Sequence, residues 1–192
     1  MIINIRGSHG SGKSHLVRRI IHAFTTRNGR RKKPMKQQAV YKKGRKQPLY
    51  YSIGYDVLLV LGHYEGKQGG GTDNITTVIE TYKLVKKYAK QYQHVIFEGI
   101  LAQHSVPRMV ELKQYGRVRA VVLNTPIKKC IRSVRRRRHA IGNTKPFDPK
   151  NIYGEQRRVD SGTRRLKLAG VKVKVCSRTE AFNYIMQLLE EG

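Results

Sequence analysis

Acidic residues are scarce in this chain of 192 residues. Only 12 Asp and Glu residues stand against 40 Lys and Arg residues, which gives a formal net charge of +28. No acidic residue precedes Asp56, and ten basic residues lie between Arg27 and Lys46. Because so much charge of one sign repels itself, a polyanionic partner is the first explanation to consider. We expect a nucleic acid; a merely solvated basic face, or a basic bias of the source proteome, is the alternative.

Cysteines and long apolar runs are also scarce. Cys130 and Cys176 are far apart, which fits neither a disulfide framework nor a zinc cluster. No apolar run approaches the ~20 residues of a membrane span, and the stretch from Met1 to Arg6 is too short for a secretory signal. The seven histidines show no metal-ligand spacing. These absences predict a cytoplasmic protein without a membrane segment.

Short apolar segments alternate with amphipathic helical patterns along the chain. This alternation predicts an α/β fold, a three-layer sandwich with a mainly parallel sheet of about five strands, in a single domain over residues 1–192. Residues 27–47 are polar and basic and have no apolar period, so we predict a loop or an extended basic insertion there. Residues 105–115 are predicted to form one helix.

Several polar residues and glycines lie at the carboxyl ends of predicted strands. They are Gly7, Gly62, Glu98, Asn124 and Ser177. The carboxyl ends of parallel strands meet at one edge of the sheet, where ligands bind in such folds. We therefore expect these five positions to line a common ligand edge.

The first strand is followed by a glycine-rich segment that fits the pattern G-x-x-x-x-G-K-[ST] in full. Its residues, with the one that follows, are predicted to bind a nucleoside triphosphate: Gly7, Ser8, His9, Gly10, Ser11, Gly12, Lys13, Ser14 and His15. Glycines let backbone N–H groups converge on phosphate oxygens, and the N-terminus of the next helix adds positive charge. Lys13 is predicted to reach the β- and γ-phosphates, and the Ser14 hydroxyl to bind Mg²⁺. ATP and Mg²⁺ are thus the expected cofactors.

Two carboxylates are candidates for catalysis. Glu98 ends an apolar strand, where it can bind magnesium or accept a proton from an acceptor hydroxyl; a capping or ion-paired glutamate is the alternative. Asp73 follows a run of glycines, and it could act in catalysis, serve as the N-cap of the next helix, or do both. The sequence does not rank the two carboxylates.

An arginine-rich helix is predicted next to a loop that contains glycine and prolines. Arg132 and Arg135 belong to this run, and residues 132–152 are predicted to form a lid whose arginines neutralise a transferring phosphoryl group. A patch that faces DNA is an equally open interpretation. The Asn-Lys-x-Asp signature of switch GTPases is absent, and Glu98 is followed by Gly99 and not by a second acid as in many motor ATPases.

These motifs together resemble the P-loop nucleoside and nucleotide kinase group. The stretch Gly62-His63-Tyr64-Glu65, with Gly69-Gly70-Gly71-Thr72-Asp73-Asn74, looks like that of small kinases encoded by tailed phages. Some of these phosphorylate 5-hydroxymethyluracil within DNA, as a step toward thymidine hypermodification. The resemblance implies transfer from ATP to such a base in the infected bacterial cell. It also implies an acceptor site formed by Gly62, Tyr64, Gly70, Gly71, Asp73 and Asn74.

The chain departs from thymidylate kinases at one place, since Glu98-Gly99 stands where those kinases have an Asp-Arg pair for the monophosphate. Three hypotheses follow. The first is a DNA-base kinase that acts on a flipped base. The second is a kinase of free nucleosides, nucleotides or polynucleotide 5′ ends. The third is a nucleic-acid-binding ATPase.

Overall fold

A computed structural model describes residues 1–26, 34–66 and 70–191. The strands in this part of the chain are β1 (Ile2–Arg6), β2 (Gln37–Val40), β3 (Tyr50–Ile53), β4 (Leu58–Leu61), β5 (His94–Glu98), β6 (Val118–Leu123) and β7 (Lys172–Cys176). The helices are α1 (Lys13–Thr25), α2 (Val78–Tyr88), α3 (Ile100–Gln103), α4 (Val106–Glu111), α5 (Ile127–Ala140), α6 (Lys150–Leu168) and α7 (Arg178–Glu190).

All these strands belong to one sheet of the order β2-β3-β4-β5-β1-β6-β7. The five strands from β4 to β7 in this order are parallel, whereas β3 pairs antiparallel with β4 and β2 pairs antiparallel with β3. The prediction of a mainly parallel α/β sheet is confirmed, but the predicted count of about five strands is too low because the sheet has seven.

β2 accounts for the main error in the fold prediction. It lies within the segment 27–47 that was predicted as a loop or insertion, and only Ala39 and Val40 of its residues are apolar and half-buried. Its pairing with β3 therefore comes from backbone hydrogen bonds, which an apolar period does not report. Residues 27–33 of the basic segment lie outside the described part of the chain.

Helices cover both faces of the sheet because side chains of a strand alternate between its faces. Ile3 and Ile5 of β1 pack in one cluster with α1 and α7, while Ile2 packs in another cluster with α2, α4 and α6. This arrangement gives the three layers that the sequence predicted. Over the described residues, no helix is both long enough and apolar enough to cross a membrane.

The carboxyl ends of the parallel strands meet at one edge, as predicted. Gly7, Gly62, Asn124 and Ser177 directly follow β1, β4, β6 and β7, and Glu98 is the last residue of β5. The helix predicted over 105–115 is shorter: α4 ends at Glu111 and a 3₁₀ turn, Leu112–Tyr115, follows. The four-residue helix α3 was not predicted, since it is too short to show a helical period.

Candidate active site

The turn from Gly7 to Ser14 joins β1 to α1 and is called here the glycine loop. Gly10 and Gly12 adopt φ values of 77° and 97°, a backbone conformation that residues other than glycine rarely adopt. A Cβ atom on Gly10 would also lie 2.4 Å from the carbonyl oxygen of Cys130. Glycine is therefore needed at these positions for both conformation and space, and the loop keeps a backbone surface free of side chains.

The glycine loop ends at the N-terminus of α1, which among the described residues has no side-chain cap. Gly12 occupies the N-cap position, and the first turn of α1 contains Ser14 and His15 but no acidic residue. The uncapped N–H groups of a helix N-terminus carry partial positive charge and bind anions. The backbone thus supplies the groups that a triphosphate needs.

Lys13 extends its side chain back over the glycine loop. Its Nζ atom donates hydrogen bonds to the carbonyl oxygens of Gly7, at 2.8 Å, and Ser8, at 3.3 Å. Burial lowers the pKa of Lys13, although the carboxylate of Glu98 acts in the opposite direction. The ammonium group thus lies at the inner surface of the loop, where it can meet a phosphate.

Glu98 lies directly beside the first turn of α1. Its Oε1 atom accepts a hydrogen bond of 2.7 Å from the Ser14 hydroxyl, and only 1% of the residue is exposed. Burial raises the pKa of Glu98, while Lys13 and Ser14 partly offset this effect. A carboxylate and a hydroxyl are the hard oxygen ligands that magnesium prefers, so this pair fits the predicted Mg²⁺ site. Within the described ranges, no group of three or more His, Cys, Asp or Glu residues forms a further metal site.

Asp73 binds the N-terminus of a different helix from the one predicted. Its two carboxylate oxygens accept hydrogen bonds from the N–H groups of Ile100, at 3.0 Å, and Leu101, at 3.2 Å, at the start of α3. The prediction that Asp73 is the N-cap of the following helix is wrong, because Thr77 caps α2 through the N–H of Glu80. Both oxygens of Asp73 therefore have structural partners.

Residues 62–74 contain the predicted acceptor site and are called here the acceptor segment; Gly71 of this segment packs on Glu98. His63 and Gly71 form a β-bridge, and a Cβ atom on Gly71 would lie 2.6 Å from Oε1 of Glu98. A Cβ atom on Gly62 would lie 2.4 Å from the backbone of Gly71, and one on Gly70 would lie 3.3 Å from Cβ of Ser14. The structure thus places Gly71 against the carboxylate, with Gly62 packed on Gly71 and Gly70 beside Ser14; Gly69 lies outside the described residues.

Tyr64 and Asn74 make structural contacts at the same edge. Tyr64 is buried, and its hydroxyl donates a hydrogen bond of 3.4 Å to the carbonyl of Leu61. The Asn74 amide donates a hydrogen bond of 3.2 Å to Oε1 of Gln47 in the turn before β3. These hydrogen bonds attach the acceptor segment to the end of β4 and to the turn before β3.

α5 directs different arginines to different surfaces. Cys130 and Val134 contact Gly10 of the glycine loop. Arg132 and Arg135 lie roughly 140–200° around the helix from Cys130 at 100° per residue, and they line a surface groove with Lys128 and Tyr153.

Arg137, which was not among the predicted site residues, lies on the side of α5 that faces the glycine loop. It follows Cys130 by seven residues, close to two helical turns. Burial lowers the pKa of His9, and the positive charges of Lys13 and Arg137 lower it further. The helical period from Cys130 and Val134 is the sequence signal that could have identified Arg137.

A buried polar network behind the glycine loop was also missed. The N–H of Gly7 donates a hydrogen bond of 2.9 Å to Oε1 of Gln103, whose amide donates one of 2.7 Å to Glu155 of α6. His104 lies 3.1 Å from the other oxygen of Glu155. The network joins the start of the glycine loop to α3 and α6. No local pattern could have revealed it, because its members lie 52 and 96 residues apart.

Two comparisons with known proteins bear on this site. The chain matches no protein-family model. A curated 5-hmdU DNA kinase of Pseudomonas phage PaMx11 is 38% identical to it over 194 aligned positions, which cover 98% of this chain and 97% of that protein.

Proposed function

Because the chain belongs to the family of the phage 5-hmdU DNA kinases, we propose that it transfers the γ-phosphate of ATP to the hydroxymethyl group of 5-hydroxymethyluracil in DNA. In this proposal the enzyme acts in the cytoplasm of an infected bacterial cell, in thymidine hypermodification. The fold is of the P-loop kinase type, and residues 132–152 form the lid over the phosphates.

The observation that carries the assignment of the donor site is the contact between Ser14 and Glu98 beside Lys13. In this assignment the glycine loop and the uncapped N-terminus of α1 hold the phosphates of ATP. Ser14 and Glu98 are the residues that would hold Mg²⁺. When bound, the ion offsets the negative charge of the phosphates during transfer.

Glu98 is also the proton acceptor in the proposed reaction: its Oε1 atom lies at Ser14, and its second carboxylate oxygen receives the proton. The hydroxymethyl oxygen forms a bond to the γ-phosphorus as the bond from that phosphorus to the β–γ bridging oxygen breaks. The hydroxyl proton passes to the Glu98 carboxylate, and the products are ADP and a phosphomonoester on the base. Asp73 is a weaker candidate because both of its carboxylate oxygens already accept hydrogen bonds from α3.

The acceptor base lies outside the helical stack in this proposal. A stacked base does not reach a γ-phosphate held in a loop, so the base must flip into the site. Gly62, Gly70 and Gly71 let the backbone of the acceptor segment pack closely beside Ser14 and Glu98, so that backbone forms a wall of the proposed base site. Lys13 and Arg137 neutralise charge at the transferred group, whereas Arg132 and Arg135, the two arginines predicted for the lid, line the outer groove of α5.

Transfer of label from γ-labelled ATP tests the proposal. We expect label in DNA that contains 5-hydroxymethyluracil and none in the same duplex with thymine. Label on free nucleosides or on 5′ ends would favour the second hypothesis from the sequence, and release of inorganic phosphate alone would favour an ATPase. The variant Lys13→Ala, checked for folding by thermal unfolding, should abolish transfer.

A further inference from the structure

A short basic turn lies at the ligand edge of the sheet, next to the acceptor segment. It spans residues 41–47 between β2 and β3 and is called here the basic turn. Tyr50 at the start of β3 pairs with Leu61 at the end of β4, which places the turn at the edge where the parallel strands end. The N–H of Gly62 donates a hydrogen bond of 2.8 Å to the carbonyl of Leu49. The basic turn and the acceptor segment are therefore neighbours.

The basic turn has a defined shape. The N–H of Arg45 donates a hydrogen bond of 2.9 Å to the carbonyl of Lys42, and Gly44 adopts a φ of 80°, as glycine does at the third position of a type II turn. The Arg45 guanidinium donates to the carbonyl of Asn74, and the Asn74 amide donates to Gln47. These contacts fix the turn to the segment that contains Asp73.

The outer surface of the basic turn consists of cations and one aromatic ring. Lys42, Lys43 and Lys46 are exposed, and 51% of Tyr41 is accessible. Lys42 lies 3.9 Å from Glu80 in an exposed pair, which solvent and salt weaken. Lys43 and Lys46 make no ion pair with any described residue. The charge at this surface is thus available to an external polyanion.

We propose that the basic turn binds the phosphates that flank the acceptor base on its DNA strand, with Tyr41 as a stacking surface for a neighbouring base. The proposal rests on the proposed function, since that function places the base beside Glu98. Successive phosphates of a strand carry one charge each, and lysines bind them as point charges. A membrane surface fits less well, because the turn presents a single exposed aromatic residue and no apolar face.

DNA binding without ATP tests this surface separately from catalysis. The test variant is K42S/K43S/K46S, which keeps Arg45 and its contact with Asn74. The control R164S/K167S/K172S removes three exposed cations from the end of α6 and the start of β7, at the opposite edge of the sheet. The anisotropy of a labelled duplex is measured against protein concentration at several salt concentrations.

We expect the slope of log K against log salt to become shallower by about 2–3 in the test variant, and to change little in the control. Equal slopes for the test variant and the wild type would overturn the proposal. The proposal would also be overturned if the test variant lost binding to anionic phospholipid vesicles but bound DNA as tightly as the wild type. If wild type binds DNA through the turn but transfers no label, the proposed function fails while the surface assignment stands.

Tyr41 has a matched control in Tyr55, which is 83% exposed in the turn between β3 and β4 at the opposite edge. Tyr41→Ala should weaken binding of single-stranded DNA about tenfold, while Tyr41→Phe retains the ring and the affinity. Tyr55→Ala should leave the affinity unchanged. An equal loss for Tyr41→Ala and Tyr55→Ala would exclude stacking at the basic turn.

Discussion

The Ser14 hydroxyl donates a hydrogen bond of 2.7 Å to the carboxylate of Glu98, across 84 residues of sequence. The bond joins the first turn of α1, which presents its backbone to phosphates, to the end of β5, where the acceptor segment packs. Donor and acceptor sides of the proposed reaction therefore meet at one pair of oxygen atoms.

Glu98→Gln should reduce kcat by a factor of about 10²–10⁴, because an amide cannot accept the proton of the acceptor hydroxyl. A general base must be deprotonated to act, so kcat/KM of the wild type should fall on the acid side of its pH profile. Rates measured from pH 5 to pH 9 would show this limb in the wild type and not in the variant. An identical acid limb in both proteins would remove Glu98 from the role of base.

Asp73→Asn should act mainly on stability. It weakens the hydrogen bonds to the N–H groups of Ile100 and Leu101, and loss of such a cap costs about 1 kcal/mol. Urea unfolding would measure this loss, and kcat should fall by less than about tenfold, compared with the much larger effect that loss of a general base produces. A fall in kcat as large as that of Glu98→Gln, at unchanged stability, would instead make Asp73 the base.

Gly71→Ala should abolish transfer, since its Cβ atom would lie 2.6 Å from Oε1 of Glu98. The control is Gly170→Ala, just after α6, where φ is also positive at 72° and a Cβ atom would lie 3.5 Å from Nζ of Lys113, an ordinary contact. The backbone strain is about 1–3 kcal/mol for Gly71→Ala, because the φ of 87° and ψ of −159° at Gly71 suit glycine alone, and about 1–2 kcal/mol for Gly170→Ala. Only the first should change kcat, and equal activities of the two variants would contradict the close packing on Glu98.

Glu155→Gln should destabilise the protein at neutral pH by about 1–3 kcal/mol, since Glu155 bonds to Gln103 and His104. Burial alone would raise the pKa of Glu155, but the hydrogen bond and charge of His104 lower it below its usual value. Its stabilising contribution is therefore present above a pH of about 4.3 and is lost as the pH falls through the lower folded pKa.

The free energies of unfolding of wild type and Glu155→Gln, compared between pH 3 and pH 7, would measure this effect. The difference should shrink toward the acid end. The KM for ATP should also rise in the variant, because Gln103 supports the N–H of Gly7. A pH-independent difference would mean that the charge of Glu155 contributes little.

Arg137→Ala should lower kcat by more than either Arg132→Ala or Arg135→Ala. Arg137 shares the side of α5 that meets the glycine loop, whereas Arg132 and Arg135 line the outer groove. A single arginine at a transferring phosphoryl group contributes a factor of about 10³ or more in related chemistry. Single-turnover rates would compare the three variants, and equal effects would contradict this division of roles.

The donor half of the site was predictable because its signal is local. The glycine loop is a continuous motif between a strand and a helix, and Glu98 ends a strand whose direction follows from the alternation of elements. The common ligand edge followed from the same rule. These inferences required no knowledge of which helix contacts which.

The remaining features depend on tertiary contacts that a sequence pattern does not carry. Asp73 binds α3, which is four residues long, and Gln103 meets Glu155 from another helix. β2 forms because its backbone pairs with that of β3, although two of the four residues of β2 are polar and exposed. Arg137 was not distinguished from its neighbours, because a run of arginines does not show by itself which side of the helix each side chain occupies.

The central position of β1 has a consequence for how the chain folds during synthesis. β1 is made first, yet its neighbours in the sheet are β5, which ends at residue 98, and β6, which ends at residue 123. Such distant pairings form slowly, since a long loop must close before any contact stabilises it. The ribosome must therefore complete β6 before the glycine loop has its full support, so a nascent chain that stops earlier should lack a stable glycine loop.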